Sequence, residues 1–217
     1  MGESGSDPTP YISVVITGRN DGHGGDFVRR FFATLEFNHR ELTARAIPYE
    51  LLLVEWAPVP GVPLLADLVE ERCADSVIAA FQAVIVDPAY HETMTLSPQL
   101  VYHQFLAKNV GLRRARGEYV LSTNCDVILG RHILERLARR ELEPAVVYRA
   151  PRWDLVATFD VERLDWARLE NPANLARPGK RLRPPYFRGS TGDFVVLDRA
   201  SFVGLGGFNE VYRVAQF

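Results

Sequence analysis

Three apolar runs each deliver polar groups at their carboxyl ends. Ile12 to Ile16 leads to Asn20 and Asp21, Leu51 to Val54 to Glu55, and Tyr119 to Thr123 to Asn124 and Asp126. On neighbouring strands of one sheet these groups would converge on a single crevice. Asp126, directly after a buried run, suits a hard divalent cation, because Mg²⁺ takes one or two carboxylates and fills its other positions with phosphate oxygens and water. A cation there could neutralise a departing diphosphate. The same carboxylate could instead cap the helix after the turn. Arg177, Lys180, Arg181, Arg183 and Arg188 gather in one segment, either a cationic flap over a diphosphate or a solvated loop. Lys108, Arg113, Arg114 and Arg116 form a second basic cluster, of which two or three should face solvent.

The elements that must position these groups follow from periodicity. Residues 1 to 10 are polar with Gly, Ser and Pro and read as a loose tail. The β-branched run from Ile12 predicts a strand buried on both faces. A turn-rich loop, Gly18 to Gly25, ends at Asp26, an N-cap candidate for a helix with Phe27, Phe31 and Leu35 at i, i+4, i+8. Leu51 to Val54 predicts a second strand, Leu64 to Arg72 a helix, and Ala83 to Val86 a third strand. Gln99 to Arg116 predicts a longer helix that Gly117 stops, with the pairs Val101/Phe105 and Leu106/Val110. After the fourth strand, Tyr119 to Thr123, come a helix (Ile133 to Glu141) and a strand (Ala145 to Arg149). An irregular stretch from Asn171 to Thr191, a strand (Phe194 to Leu197) and a short helix before Gly206 and Gly207 complete the chain. Strands alternating with helices predict a mostly parallel, doubly wound α/β sheet, with ligands beyond the carboxyl ends of its strands.

Composition sets the outer bounds. The 217 residues are 47% hydrophobic, 11% aromatic and 24% charged, enough to bury roughly 70% of the unfolded surface around one core. Global disorder is excluded and one domain is expected. With 25 basic and 27 acidic residues and a net charge of -2, the chain lacks the positive field of a non-specific nucleic-acid binder. There is no apolar run of transmembrane length and no leader pattern in the first ten residues, so a cytoplasmic protein is expected. Cys73 and Cys125 are far apart and predict reduced thiols. His23, His39, His91, His103 and His132 show no metal-ligand spacing, and Gly22, Gly24 and Gly25 miss the dinucleotide and P-loop patterns.

The run Ala107, Lys108, Asn109, Val110, Gly111, Leu112, then Ala115 to Leu121, leading into Thr123, Asn124, Cys125 and Asp126, resembles the central signature of family 2 glycosyltransferases with the GT-A fold. There a helix carrying Arg/Lys-Asn-x-Gly and Ala-x-Gly-Glu enters a strand that ends in the metal-binding Asp-x-Asp. Ile12 to Asn20 resembles the family's first strand and nucleotide loop, Leu51 to Glu55 its second strand with a base- or ribose-binding acid. Gly192, Asp193 and Phe194 through Gly206, Gly207, Phe208, Asn209 and Glu210 resemble the acceptor-side strand and its Gly-Gly-Phe turn. The resemblance spans about residues 11 to 210, within one GT-A-like domain taken as 11–217.

What the resemblance implies is a hexosyltransferase that moves a sugar from a nucleotide-diphosphate donor to a saccharide or other hydroxyl acceptor, assisted by Mg²⁺ or Mn²⁺. Thr17, Arg19, Asn20, Asp21, Glu55, Lys108, Asn109, Arg113 and Asn124 would hold the nucleotide sugar, and Asp126 the metal. Asn124 stands where the family has the first Asp, which removes one ligand charge. The family's Asp-Asp-Gly-Ser after the second strand is replaced by Glu55, Trp56, Ala57 and Pro58. Trp56 would stack on a base or, more simply, fill core. Asp193 would orient the acceptor hydroxyl or only form the turn after Gly192. Inverting members carry a general base beyond the Gly-Gly-Phe turn, whereas this sequence ends seven residues after Glu210. Three readings follow: a fragment, Asp193 or Glu210 as the base, or a chain that does not catalyse inverting transfer. Asn124 and the missing acid also admit a nucleotide-sugar-binding module or degenerate transferase without turnover. A nucleotidyltransferase of related architecture is a weaker alternative, since the first loop has Arg19 but no matching lysine.

Overall fold

The structure is a computed structural model, and it describes residues 9–94, 100–176 and 193–210. Chain order is β1 (Ile12–Gly18), α1 (Phe27–Ala44), β2 (Tyr49–Trp56), α2 (Leu65–Arg72), α3 (Asp75–Ala80), β3 (Phe81–Val86) and α4 (Pro88–Met94). Then follow α5 (Gln104–Leu112), β4 (Tyr119–Asn124), α6 (Arg131–Ala138), β5 (Tyr148–Arg149), β6 (Asp154–Leu155), α7 (Trp166–Leu169), β7 (Leu175–Ala176), β8 (Phe194–Asp198) and α8 (Arg199–Gly204). Among the described residues, six strands form one sheet in the order β3-β2-β1-β4-β8-β5, and β6 pairs with β7 in a separate ribbon. Strands β3, β2, β1 and β4 are parallel, while β8 runs antiparallel to both β4 and β5. The mostly parallel α/β sheet expected from the alternating pattern is present.

Strands β1, β2 and β4 are buried along nearly their whole length, as continuous apolar runs in a sheet covered on both faces require. On one face α1 packs Phe27, Phe31 and Leu35 against Val14, Ile16, Leu51 and Leu53. On the other, α5 lies close because Gly111 has no side chain: a Cβ there would come within 2.4 Å of Val15 Cγ1. Helix α5 is shorter than the periodicity implies, starting at Gln104 rather than Gln99 and ending at Leu112. Val101 lies before it and is exposed, so the Val101/Phe105 pair is not a helical pair; Gln99 itself lies outside the described residues. Helices α3 and α4, too short for periodicity to register, were not anticipated. The expected strand Ala145 to Arg149 shrinks to β5, since Ala145 adopts φ 58°. Asp26 precedes α1 but makes no side-chain capping bond; it pairs instead with Arg30 and Arg29.

Glu50 ties the amino end of the sheet together. It is 3% exposed and accepts from Ser13 Oγ at 2.5 Å, Arg116 N at 2.7 Å and Arg116 Nε at 2.8 Å. Ser13 Oγ in turn accepts from Gly117 N at 2.7 Å. Burial pushes the Glu50 carboxyl up, but the bonds from Ser13 and Arg116 outweigh it and hold it below its ordinary value of 4.5. With the folded value depressed, the unfolded chain takes up protons first on acidification. The stabilisation is therefore complete above about pH 4.5 and is lost as pH falls through the folded value. Glu50→Gln is expected to cost about 2 kcal/mol at pH 7, and its deficit relative to wild type should shrink toward pH 4 in urea denaturation run at both pH values.

Candidate functional site

The sheet reverses direction of winding between β1 and β4: the chain leaves β1 for β2 and β3 on one side and returns to β4 on the other. In such sheets the carboxyl ends of the strands at this point flank the ligand crevice. A cleft of about 940 Å³ opens beside it. Its polar lining includes Asn124 and Asp126 from the end of β4, Asp193 from the start of β8, Arg30 from α1, Arg131 from α6 and Arg152. Trp153, 45% exposed, adds an aromatic surface on which a sugar ring could stack.

Within the cleft the side chains form a directed chain of hydrogen bonds. Gln104 Nε2 donates to Asn124 Oδ1 at 2.8 Å, and Asn124 Nδ2 donates to Asp193 Oδ1 at 2.9 Å. Arg152 Nη1 donates to the other oxygen, Asp193 Oδ2, at 2.7 Å, and Thr123 Oγ1 donates to the Asp193 carbonyl at 2.6 Å. Asp193 is thereby fixed at the junction of β4 and β8, 9% exposed and facing the cleft. Asn124 thus has a physical reason to be neutral: an aspartate there would set two carboxylates against each other, whereas the amide supplies a donor.

Asp126 is the most accessible of the three, its side chain 37% exposed, with Arg30 Nε 3.6 Å from Oδ2. Arg30 also donates to the His23 and Gly24 carbonyls, so it ties the loop after β1 to the loop after β4. The described residues contain no cluster of three His, Cys, Asp or Glu side chains arranged for a metal ion. The donors do fit the sparser kind of Mg²⁺ or Mn²⁺ site, in which one carboxylate, here Asp126, is completed by substrate phosphate oxygens and water.

The remaining expected ligands are distributed differently from the single crevice anticipated. Glu55 is fully buried, and both its oxygens accept backbone N–H groups at the start of α2, from Leu65 at 2.9 and 2.8 Å and from Ala66 at 3.3 Å. It caps a helix and presents no surface to a ribose. Asn20, 8% exposed, donates to the Pro63 carbonyl at 2.9 Å and so holds the segment entering α2. Arg19 donates to the Val101 carbonyl, and Asp21, exposed, accepts from His23 N. Thr17 is buried in β1, in register with Asn124.

On α5, Asn109 clamps the Gly206–Phe208 turn: its amide donates to the Phe208 carbonyl and to Glu210 Oε1, and its oxygen accepts from Phe208 N, each at 2.8 Å. Gly207, at φ 80°, has no room for a Cβ beside Asn109 Oδ1. Glu210 is also paired with Arg113 at 3.0 Å and is not among the residues lining the cleft, whereas Asp193 is. Lys108 is fully buried; burial lowers its amine to about 8, with Asp193 opposing that shift. Arg113, Arg114 and Arg116 are exposed. Trp56 is core, donating to His91 Nδ1. The basic segment with Arg177, Lys180, Arg181, Arg183 and Arg188 lies outside the described residues, as does Gly192.

Gln104, Arg30 and Arg152 were not anticipated. Arg30 had a faint signal, four residues after Asp26 on a helix. The bonds from Gln104 to Asn124 and from Arg152 to Asp193 had none, because these partners are distant in sequence.

No protein-family model matches the chain, and no curated protein does. Among solved structures it is similar to S. aureus TarS 1-349, at 13% identity and a TM-score of 0.45, over 94% of this chain and 52% of that one. It is also similar to the galactosyltransferase LgtC in complex with donor and acceptor sugar analogues, at 10% identity and a TM-score of 0.36, over 54% of this chain and 39% of that one. The chain therefore spans about half the length of the TarS structure.

The assignment of Glu55 to α2 makes a direct prediction. Glu55→Gln removes one acceptor from the helix start and should cost about 1 kcal/mol in thermal or urea unfolding, while leaving nucleotide affinity at the wild-type value in calorimetry. A tenfold weaker affinity without a stability loss would return Glu55 to the binding site.

Proposed function

We propose that the chain binds a nucleotide-diphosphate sugar in the cleft beside the β1/β4 switch and transfers the sugar to a hydroxyl acceptor. The observation that carries this reading is the pairing, across one cleft of about 940 Å³, of the accessible carboxylate Asp126 with the fixed carboxylate Asp193. Asp126 would hold Mg²⁺ or Mn²⁺ together with the diphosphate. A metal bound there would offset the charge that develops as the nucleoside diphosphate leaves. Arg30 and Arg131, on the same wall, would add positive potential at those oxygens. Asp193 would take the proton of the acceptor hydroxyl as its oxygen bonds to the anomeric carbon and the bond to the diphosphate breaks. Trp153 would support the sugar face.

A second reading has a specific observation behind it. Both oxygens of Asp193 are engaged, one by the Arg152 guanidinium, which weakens it as a base; a nucleotide-sugar-binding module without turnover would be consistent with that.

Titration of UDP, GDP and their sugar conjugates into the chain, with and without Mn²⁺, separates these readings. Asp126→Ala is expected to weaken the metal-dependent binding roughly tenfold or more. Asp193→Asn should preserve binding and lower donor hydrolysis by about 10²-fold or more. Binding without hydrolysis in the wild type favours the module, and binding of no donor rejects both readings.

A further inference from the structure

The chain of bonds that ends on Asp193 has a polarity that the carboxylate imposes and that one residue outside every sequence motif completes. An ionised carboxylate only accepts hydrogen bonds. Asp193 Oδ1 therefore requires the Nδ2 end of the Asn124 amide, found 2.9 Å away. That leaves Asn124 Oδ1 pointing at Gln104, where only a donor satisfies it, and Gln104 Nε2 donates at 2.8 Å. Reversing either amide would place oxygen against oxygen. Gln104 sits at the first position of α5 and Asn124 at the last of β4, so the orientation of Asp193, immediately before β8, is set from α5 through β4. On its other side Arg152 Nη1 holds Oδ2, while Arg152 Nε pairs with Asp154 at 3.0 Å.

We propose that Gln104 is a positioning residue for the transfer reaction: its side-chain donor locks the Asn124 amide in the sense that keeps the Asp193 carboxylate ionised and aimed into the cleft. The inference rests on the role given to Asp193 above. Gln104 itself touches no reacting atom.

The polarity can be reversed and restored on paper, which makes it testable. Gln104→Glu puts an acceptor where a donor is needed; the Asn124 amide must turn, and its oxygen then meets the Asp193 carboxylate. Adding Asp193→Asn satisfies these three bonds again in the reversed sense: the position-104 carboxylate accepts from Asn124, Asn124 accepts from the new amide at 193, and that amide accepts from Arg152. Gln104→Glu is expected to lower the melting midpoint by about 5 °C, and the double variant Gln104→Glu/Asp193→Asn to melt within about 2 °C of Asp193→Asn alone. Donor hydrolysis should respond differently. Gln104→Glu should lower kcat about tenfold with KM for the donor unchanged, and the double variant should regain stability without regaining turnover, because the carboxylate is no longer at 193.

Additive melting losses, or a Gln104→Glu enzyme with wild-type kcat, would overturn the proposal. If Gln104→Glu does not fold alone, Gln104→Met, which removes the donor and adds no charge, tests the same dependence: a kcat lowered about fivefold at unchanged KM supports the proposal, and a wild-type kcat overturns it. Should the wild type bind no nucleotide sugar, the transferase reading falls, and the melting cycle still decides whether Gln104 governs Asp193.

Discussion

Glu50, buried at the amino end of β2, is the constraint on which the site at the opposite end of the sheet depends. Its carboxylate gathers Ser13 of β1 and the backbone and guanidinium of Arg116, immediately before β4. Gly117 completes the knot, donating to Ser13 Oγ where a Cβ would lie 2.6 Å from Ser13 N. The return from α5 into β4 is thereby pinned directly against β1. Because strand register has a period of two, a slip of one residue would turn every inward side chain outward. The pinned register places Thr17 opposite Asn124 and Gly18 opposite Glu55, and so determines which polar groups leave the sheet beside the cleft.

At the carboxyl end, carboxylates divide into those committed to backbone and those facing the cleft. Glu55 is committed to the start of α2; at the other end of the sheet, because β8 runs antiparallel, Asp198 is committed in the same way and caps α8 by accepting from Ser201 N. Burial raises the Glu55 carboxyl, since the bonds from Leu65 and Ala66 only partly offset desolvation, whereas Asp198 is lowered overall because its backbone bonds outweigh that cost. Asp126 and Asp193 differ from both in lining open space. The distinction lies in what reaches the oxygens: backbone N–H groups at helix starts hold Glu55 and Asp198, whereas side chains meet Asp126 and Asp193. Arg30 and Arg152 then moderate the charge of each, and Asn124 supplies the neutral donor that lets Asp193 sit beside β4.

Much of the fold was legible because its signals are local. Apolar runs, β-branched in β1, marked β1, β2 and β4; the i, i+4 repeat of Phe27, Phe31 and Leu35 marked α1; and strand–helix alternation implied a parallel sheet. Asn124, Asp126 and Asp193 were identified as candidates from their places at strand ends and from the family resemblance, and all three line the cleft. The limits were equally physical. Glu55 looked like a ligand because its position after β2 is the same as that of a ligand; only the approach of Leu65 and Ala66 shows that its oxygens are taken. Glu210 and Asn109 carried motif signals that resolve into a clamp on the Gly206–Phe208 turn.

What the sequence determined alone is the order and type of the buried elements and the residue types available at their ends, since hydrophobic period and turn chemistry act over a few residues. What the tertiary structure decided is which of those polar groups share space. Gln104 reaches Asn124, Asn124 reaches Asp193, and Arg152 closes on the same carboxylate across separations of 20, 69 and 41 residues. Hydrogen-bond polarity and charge pairing are properties of neighbours in space, and with these intervals no local pattern encodes them.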